Sequence, residues 1–162
     1  MVYWKRQPRK KHPAVQSMNS RQRFRRLSPA ERRVAVEAAF LLIRVPIALR
    51  LRGYAALRDR IERAAGTRPA GAGAARIAQL LQGVARRLPY QTTCLEQSVA
   101  LHWMLRRRGI AAELCIGARK QEDAFEAHAW VECAGDVLND DPGVRQRYAV
   151  FDGPLPARVR FS

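Results

Sequence analysis

Three residues in the second half of the chain are of the types that carry out nucleophilic catalysis. Cys94 follows two threonines that can begin a helix, His128 lies in an alternating segment typical of a strand, and Asp140 ends the next apolar segment. A thiol, an imidazole and a carboxylate in these contexts suit a nucleophile, its base and an orienting acid. We predict that these three side chains meet in a catalytic triad.

The position of Cys94 at the first turn of a predicted helix favours a reactive thiol. The positive end of the helix dipole lowers the pKa of a thiol placed there. A free cysteine also behaves as a small apolar residue, so a buried structural role stays open for it. Cys115 and Cys133 lie among apolar strand residues and are interpreted as structural.

Asp140 can reach His128 if the two segments pair as a hairpin across a glycine turn. A carboxylate there would hold the imidazole tautomer and stabilise the imidazolium. Asn139 and Asp141 are rivals by adjacency, although strand alternation places both on the opposite face. His102 is a poor alternative base, because it follows the cysteine by two helical turns, about 12 Å along the axis. A structural histidine and a simple turn remain the alternative readings of these positions.

Two further residues receive supporting roles. Trp130 shares a strand face with His128 by the period of two, where it would shield the site from water, unless it is ordinary core. Backbone N–H groups at the helix start, including that of Cys94, are suitable oxyanion donors. Gln91, three residues upstream, is the candidate side-chain donor.

The first half of the chain predicts helices. Ser28, Pro29 and Glu31 form the pattern of a capping box, and apolar residues then recur at helical spacing. Pro46 is predicted to end or kink this helix, because its ring removes a donor and clashes with the preceding turn. A second amphipathic segment, Ile47–Ala65, follows.

Further helices and then strands complete the pattern. Helices are predicted over Ala74–Leu88 and from Cys94 to about Arg108, with Gly109 ending the second. Beyond that glycine the period changes towards two. The predicted strands are Ala112–Ile116, Ala127–Cys133, Asp136–Asn139 and Tyr148–Phe151, separated by turns at Gly117, Gly135 and Pro142-Gly143. Helices followed by strands predict an α+β domain, with the helices packed on a small antiparallel sheet.

The charge of +16 is concentrated near the N-terminus. Residues 1–26 hold nine Lys and Arg residues and no acid, and we interpret them as a flexible basic tail preceding one domain over residues 27–162. The most apolar run, Ala38–Leu49, is interrupted by Arg44 and Pro46 and is too short to cross a bilayer. Three cysteines without a Cys-x-x-Cys pair predict neither a metal site nor a disulfide framework. No cofactor is expected, and with no secretory signal the expected location is the cytoplasm.

Four short motifs closely resemble the transglutaminase-like leader peptidases of lasso-peptide biosynthesis, the proteolytic B proteins of that pathway. They are Cys94-Leu95, Ile116-Gly-x-Arg119, Ala127-His-Ala-Trp-Val-Glu132 and Asn139-Asp140, within a resemblance from about Leu27 to Phe151. The catalytic cysteine, histidine and aspartate of that family match Cys94, His128 and Asp140 one by one. The resemblance implies a papain-like cysteine peptidase fold.

By this resemblance, the protein removes the leader of a ribosomally made precursor peptide. A separate ATP-dependent cyclase would then close a macrolactam ring on the freed amine. The sequence before Ser28 is too short for the leader-recognition domain that some members carry. A stand-alone peptidase served by a separate small recognition protein is therefore expected.

Two other functions stay open. An amine could capture the acyl-enzyme, which would make the protein a transglutaminase or an amide-forming acyltransferase. A non-catalytic module that binds nucleic acid through the basic tail is the other alternative. The sequence signal for nucleic-acid binding is weak, because only Tyr3, Trp4 and Phe24 supply aromatic rings near the basic residues.

Overall fold

The computed structural model describes residues 2–4, 27–66, 72–121 and 124–150, with the backbone alone at residues 2–4, 121, 124 and 125. The elements in chain order are β1 (Val2–Trp4), α1 (Pro29–Arg63), α2 (Ala74–Ala85), α3 (Cys94–Arg106), β2 (Glu113–Gln121), β3 (Ala124–Cys133), β4 (Asp136–Val137), α4 (Val144–Arg147) and β5 (Ala149–Val150). This arrangement confirms the α+β class. Three residues of the predicted tail form β1, and the rest of that tail lies outside the described residues.

Helix α1 begins where the sequence predicts but breaks at a different residue. The Ser28 hydroxyl accepts a hydrogen bond from the Glu31 N–H, and the Glu31 carboxylate accepts one from the Ser28 N–H, which confirms the capping box. The predicted break at Pro46 is wrong, because the helix continues past this buried proline and kinks at Gly53. Gly53 has a φ of 73°, a left-handed conformation that glycine adopts without steric cost.

Helix α3 lies at the centre of the apolar core. Its residues Leu95, Val99, Leu101, Met104 and Leu105 are fully buried and join one cluster with buried residues of α1, α2, β2 and β3. None of the helices in the described part of the chain is long and apolar enough to cross a membrane. Because α3 packs against residues of α1, α2, β2 and β3, its first turn is held in place on several sides.

Three arginines at the end of α3 fasten it to α1. Arg106 pairs with Glu62 at 2.6 Å, and Arg107 and Arg108 pair with Glu37 at 3.0 and 2.7 Å. The Glu37 and Arg108 side chains are both largely buried, so their attraction is screened by water less than that of a surface pair. These ion pairs fix the position of α3 against both halves of α1.

The sheet has the strand order β1-β3-β2-β5, with β4 also paired to β3. The pairs β2–β3, β2–β5 and β3–β4 are antiparallel, whereas β1 runs parallel to β3. Strand β2 passes straight through Gly117, so the predicted turn at this glycine is wrong. Gly117 pairs with His128 across the sheet and with Val150 on its other side. The turn predicted at Gly135 is confirmed, with a φ of 88°.

The absence of a side chain at Gly117 allows close packing. A Cβ atom there would lie 2.9 Å from the Ala149 carbonyl oxygen and the Tyr148 Cβ, and 3.1 Å from Trp130 Cη2. The two 2.9 Å distances are shorter than those of real Cβ contacts, and the 3.1 Å distance is tighter than most of them. Any side chain at Gly117 would therefore push the two aromatic residues and β5 away from β2.

We predict that Gly117→Ala lowers the free energy of unfolding by about 1–3 kcal/mol, since it overpacks a rigid part of the sheet. Gly83→Ala is the matched control, because its new Cβ would meet only Arg87 Nη1 at 3.5 Å, an ordinary contact. This helical substitution should raise stability by up to about 1 kcal/mol. Urea unfolding measures both values, and equal stability of the two variants would contradict the packing at Gly117.

Candidate active site

Cys94 is the first residue of α3, held there by a capping box. The Thr93 hydroxyl accepts a hydrogen bond from the Glu96 N–H at 3.2 Å, and the Glu96 carboxylate accepts one from the Thr93 N–H at 2.8 Å. This confirms one of the two threonines predicted to cap the helix. The Cys94 side chain points inward and has no exposed surface.

Burial raises the pKa of the Cys94 thiol to about 12. The Ala129 and Leu95 backbone N–H groups lower it, but by less, and the nearby Asp140 charge adds to the increase. The expectation that the helix start gives a thiol of lowered pKa is therefore wrong for the resting fold. The free energy needed to move a thiolate out of water is larger than the stabilisation that the backbone N–H groups provide.

His128 and Asp140 form the hydrogen bond that the hairpin predicts. The His128 Nε2 atom lies 2.5 Å from Asp140 Oδ2, and the histidine is almost fully buried. Burial raises the pKa of Asp140, but hydrogen bonds from His128 and the Asp141 N–H, with the charges of His128 and Arg147, outweigh it, so the net pKa is lowered. The carboxylate therefore stays ionised and orients the ring.

The second ring nitrogen of His128 is buried and has no hydrogen-bond partner among the described residues. When Nε2 carries the hydrogen that is shared with Asp140, Nδ1 carries the lone pair of a neutral imidazole. A nitrogen in that state can accept a proton from a thiol. The arrangement thus supplies a base whose other side is already held by a carboxylate.

The thiol lies beside the strand that carries this histidine. The Ala129 N–H, next to His128 in the chain, acts on the sulfur of Cys94. One helical turn after the cysteine, the Ser98 hydroxyl donates to the Ala129 carbonyl oxygen at 2.9 Å. The first turn of α3 therefore crosses β3 at the residue after the histidine.

The two rivals of Asp140 have other roles. The buried Asn139 accepts a hydrogen bond from the Val131 N–H and donates one to Ser98 Oγ, both at 2.8 Å. The exposed Asp141 accepts a hydrogen bond from the Gly143 N–H in the following turn. Neither forms a hydrogen bond to His128, and the carboxylate that does is the predicted one.

Aromatic rings surround the histidine on the sheet face. The Tyr148 ring lies 4.9 Å from the His128 ring, centre to centre, and the fully buried Trp130 ring lies 6.2 Å away. Trp130 thus lies near His128, as predicted, while its shielding role stays a prediction; its indole N–H donates to Glu132. Tyr148 was predicted as a strand residue and not as part of the site; the one local signal was Gly117, whose lack of a side chain makes room for it.

A buried polar group holds the Tyr148 ring in position. The Tyr148 hydroxyl donates to one oxygen of Glu126 at 2.9 Å, and the Arg119 guanidinium donates to the other at 2.8 and 3.0 Å. The same guanidinium lies over the Tyr148 ring, 5.2 Å from its centre. Burial, followed by the hydrogen bond to Glu126, raises the pKa of Tyr148 to about 12, so its hydroxyl stays protonated.

The remaining predicted positions are less informative. Gln91 is exposed, three residues before Cys94, and its role as an oxyanion donor stays a prediction. Within the described ranges, no group of three or more His, Cys, Asp or Glu side chains is arranged to hold a metal ion.

Comparison with known proteins identifies the family. The profile of the transglutaminase-like superfamily matches residues 39–151, more than half of the chain. The chain belongs to the transglutaminase-like superfamily. Over 62 residues it is 43% identical to the Microcin J25-processing protein McjB of Escherichia coli. This match covers 38% of the chain and only 29% of that relative. No solved structure was found to match.

We predict that Asn139→Ala lowers the free energy of unfolding by about 1–3 kcal/mol, because it leaves the buried Val131 N–H and Ser98 hydroxyl without this partner. Ser98→Ala should cost a similar amount, and the double variant should cost clearly less than the sum, since the two residues share a hydrogen bond. Urea unfolding of the four proteins gives the coupling energy. Full additivity would contradict the buried bridge.

The raised thiol pKa predicts a loss of stability at alkaline pH. Above pH 9 an unfolded chain releases the Cys94 proton while the folded chain keeps it, so stability falls as pH rises towards 12. The slope from this one group approaches about 1.4 kcal/mol per pH unit. Urea unfolding at pH 8 and 10.5 should show a smaller loss for Cys94→Ala than for the natural chain. Equal losses of stability in the two proteins would show that the pKa of the Cys94 thiol is not raised in the folded chain.

Proposed function

We propose that the protein is a cysteine peptidase that removes the leader from a ribosomally made lasso-peptide precursor. The observation that carries this proposal is the short His128–Asp140 hydrogen bond. The other ring nitrogen is buried, has no hydrogen-bond partner in the described part of the chain, and lies next to the strand residue that contacts Cys94. Membership of the transglutaminase-like superfamily supports acyl chemistry at a cysteine. The similarity to a microcin-processing protein supports a precursor peptide as substrate.

In the first half of the proposed reaction, His128 Nδ1 accepts the proton of the Cys94 thiol while the sulfur attacks the scissile carbonyl carbon. The carbon–sulfur bond forms, and the carbonyl oxygen becomes an oxyanion. Collapse of this intermediate breaks the carbon–nitrogen bond, and His128 returns the proton to the departing amine. The core peptide leaves with a free N-terminus, and the leader remains as a thioester on Cys94.

In the second half, water replaces the peptide. His128 accepts a proton from the water as its oxygen attacks the thioester, and the same proton returns to the sulfur as the leader acid departs. Asp140 stays ionised and stabilises the imidazolium in both halves. The backbone N–H groups at the start of α3, with Gln91 as the side-chain candidate, would donate to the oxyanion.

The raised pKa of Cys94 favours activation of the thiol by a general base. A thiol with a pKa of about 12 is protonated at neutral pH, so the resting site does not store a thiolate. Transfer of the proton to His128 then accompanies attack on the substrate, as general base catalysis. Trp130 and Tyr148 exclude water around the ring, which strengthens its interaction with the Asp140 charge.

The resemblance also supplies the proposed partners. A separate small recognition protein would present the leader of the precursor, and an ATP-dependent cyclase would consume the freed amine. Transglutaminase or amide-forming activity is the second candidate, favoured by the superfamily to which the chain belongs. In that reaction an amine, rather than water, would attack the thioester.

We predict that Cys94→Ala abolishes cleavage of a precursor peptide by the purified protein with its recognition partner, measured by mass spectrometry. Asp140→Asn should slow cleavage by at least about a hundredfold, because it no longer holds the imidazole in the required tautomer. Cys115→Ala is the control. It removes a thiol on β2 that is not part of the proposed triad, so this variant should cleave normally. Undiminished cleavage by Cys94→Ala would reject the assignment.

The masses of the products separate the two candidate reactions. Hydrolysis gives fragments whose summed mass exceeds that of the precursor by one water, whereas aminolysis gives a leader joined to the added amine. We expect the hydrolytic masses even when a primary amine is present in excess.

A further inference from the structure

Helix α1 carries a line of large apolar side chains that face solvent. The five residues are spaced by four, three, four and four positions, which places them on one face of the helix before the Gly53 kink. Their exposed fractions are 62% for Val36, 53% for Phe40, 49% for Ile43, 52% for Ile47 and 79% for Leu51. We call these five residues the α1 stripe. A contiguous apolar surface of this kind is typical of a binding site.

The α1 stripe borders a groove between the two halves of the kinked helix. One cavity of about 770 Å³ has Val36, Phe40 and Arg60 in its lining, and an adjoining cavity of about 290 Å³ has Ile47, Leu51 and Arg60. In a straight helix, residues 36 and 60 would lie about 36 Å apart. The kink at Gly53 therefore brings the second half of α1 back to form the other wall.

Trp103 of α3 lines both cavities. Its side chain is largely buried, and its indole N–H has no hydrogen-bond partner among the described residues. A buried donor without a partner is costly, and an acceptor brought by another molecule would relieve that cost. The groove thus combines apolar walls with an unused donor.

The charged side chains of this groove are almost all positive. Its arginines without an ion pair in the described part of the chain are Arg33, Arg44, Arg52 and Arg60. Among the residues that the structure describes, Glu37 is the only acid in the lining of the two cavities, and it is already paired with Arg107 and Arg108. These four arginines, of which Arg44 lies over the Phe40 ring at 5.1 Å from its centre, leave the rim with a positive charge that attracts carboxylates.

We propose that this groove docks an acidic, amphipathic polypeptide segment of a partner protein. The apolar side chains of the segment would lie against the α1 stripe, in the mode by which helices bind apolar grooves. Its carboxylates would pair with Arg33, Arg44, Arg52 and Arg60 at the rim. An acidic group near Trp103 would accept the indole hydrogen bond.

Charge and shape disfavour the other occupants. A second copy would bring the same arginines against one another, and the segment 1–26 of this chain carries nine basic residues and no acid. Nucleic acid would match the arginines but not the apolar stripe between them. An anionic bilayer offers a flat surface, whereas the groove is concave and lined on two sides.

The docking groove is separate from the proposed catalytic residues. Cys94, His128 and Asp140 are absent from the lining of both cavities. Cys94 lies at the other end of α3, His128 on β3 and Asp140 after β4. The inference therefore does not depend on the proposed peptidase activity, and a catalytically inactive Cys94→Ala protein should dock the same segment.

The test uses a fluorescein-labelled helical peptide of about five turns, with leucines at the spacing of the α1 stripe and glutamates beside them. Fluorescence anisotropy should show binding to the full chain, weakened at least about tenfold by Phe40→Ser with Leu51→Ser. Arg44→Glu with Arg60→Glu should weaken binding to a similar extent. All four side chains are exposed, so the variants should keep the natural melting temperature.

A charge-matched variant separates docking from general attraction to a basic protein. Arg86→Glu with Lys120→Glu changes two exposed residues outside the groove, one directly after α2 and one on β2, and should alter binding less than twofold. Equal weakening by the two charge-reversal variants, or equal binding of the peptide with lysine in place of glutamate, would overturn the proposal.

Two further outcomes would assign the groove to another occupant and so overturn the proposal. One is concentration-dependent dimerisation, measured by light scattering, that Phe40→Ser with Leu51→Ser abolishes. The other is binding to phosphatidylserine vesicles that is lost in the same double variant and prevents binding of the acidic peptide.

Discussion

The candidate site depends on a buried hydrogen-bonded bridge between α3, β3 and the segment after β4. Ser98 donates to the Ala129 carbonyl oxygen, and Asn139 joins Ser98 to the Val131 N–H. A predicted catalytic residue lies close in the chain to each of the bridge residues Ser98, Ala129 and Asn139. Cys94 lies one helical turn before Ser98, His128 directly precedes Ala129, and Asp140 directly follows Asn139. The neutral bridge therefore holds three segments in register, so that the reactive groups need not hold the fold together themselves.

Burial raises the pKa of both acids of the site, but the net shifts are opposite because their hydrogen bonds differ. Asp140 keeps a lowered pKa, since His128 and the Asp141 N–H donate to it and return more than its partial burial costs. Cys94 lies deeper and receives weaker compensation, so its pKa rises to about 12. The resting site therefore holds one negative charge next to the imidazole and an uncharged thiol. In this environment a proton moved from the sulfur to His128 creates a cation beside an anion that is already in place.

Local signals in the sequence predicted more than non-local ones. The caps at Ser28 and Thr93, the glycine that ends α3 and the hairpin at Gly135 depend on residues a few positions apart, and all are confirmed. The extension of β2 through Gly117 depends on Tyr148 and Trp130 packing above it, so a glycine predicted as a turn lies within a strand. The identity of Asp140 as the partner of His128 followed from strand alternation. The raised pKa of the Cys94 thiol could not be predicted, because local sequence patterns do not show how deeply a helix terminus is buried.

The break in α1 shows why one glycine affects the fold more than one proline. Pro46 lacks an N–H, but it is buried in a helix whose neighbours Leu42 and Leu49 pack in the same core, so tertiary contacts maintain the helical path. Gly53 instead adopts a backbone conformation that other residues rarely adopt, and the helix changes direction there. The first half of α1 packs one apolar face in the core with α3, and the change of direction brings Arg60 of the second half beside the other, exposed apolar face. Helix α3 serves both regions, with Cys94 at its first turn beside the sheet and Trp103 near its last turn in the groove.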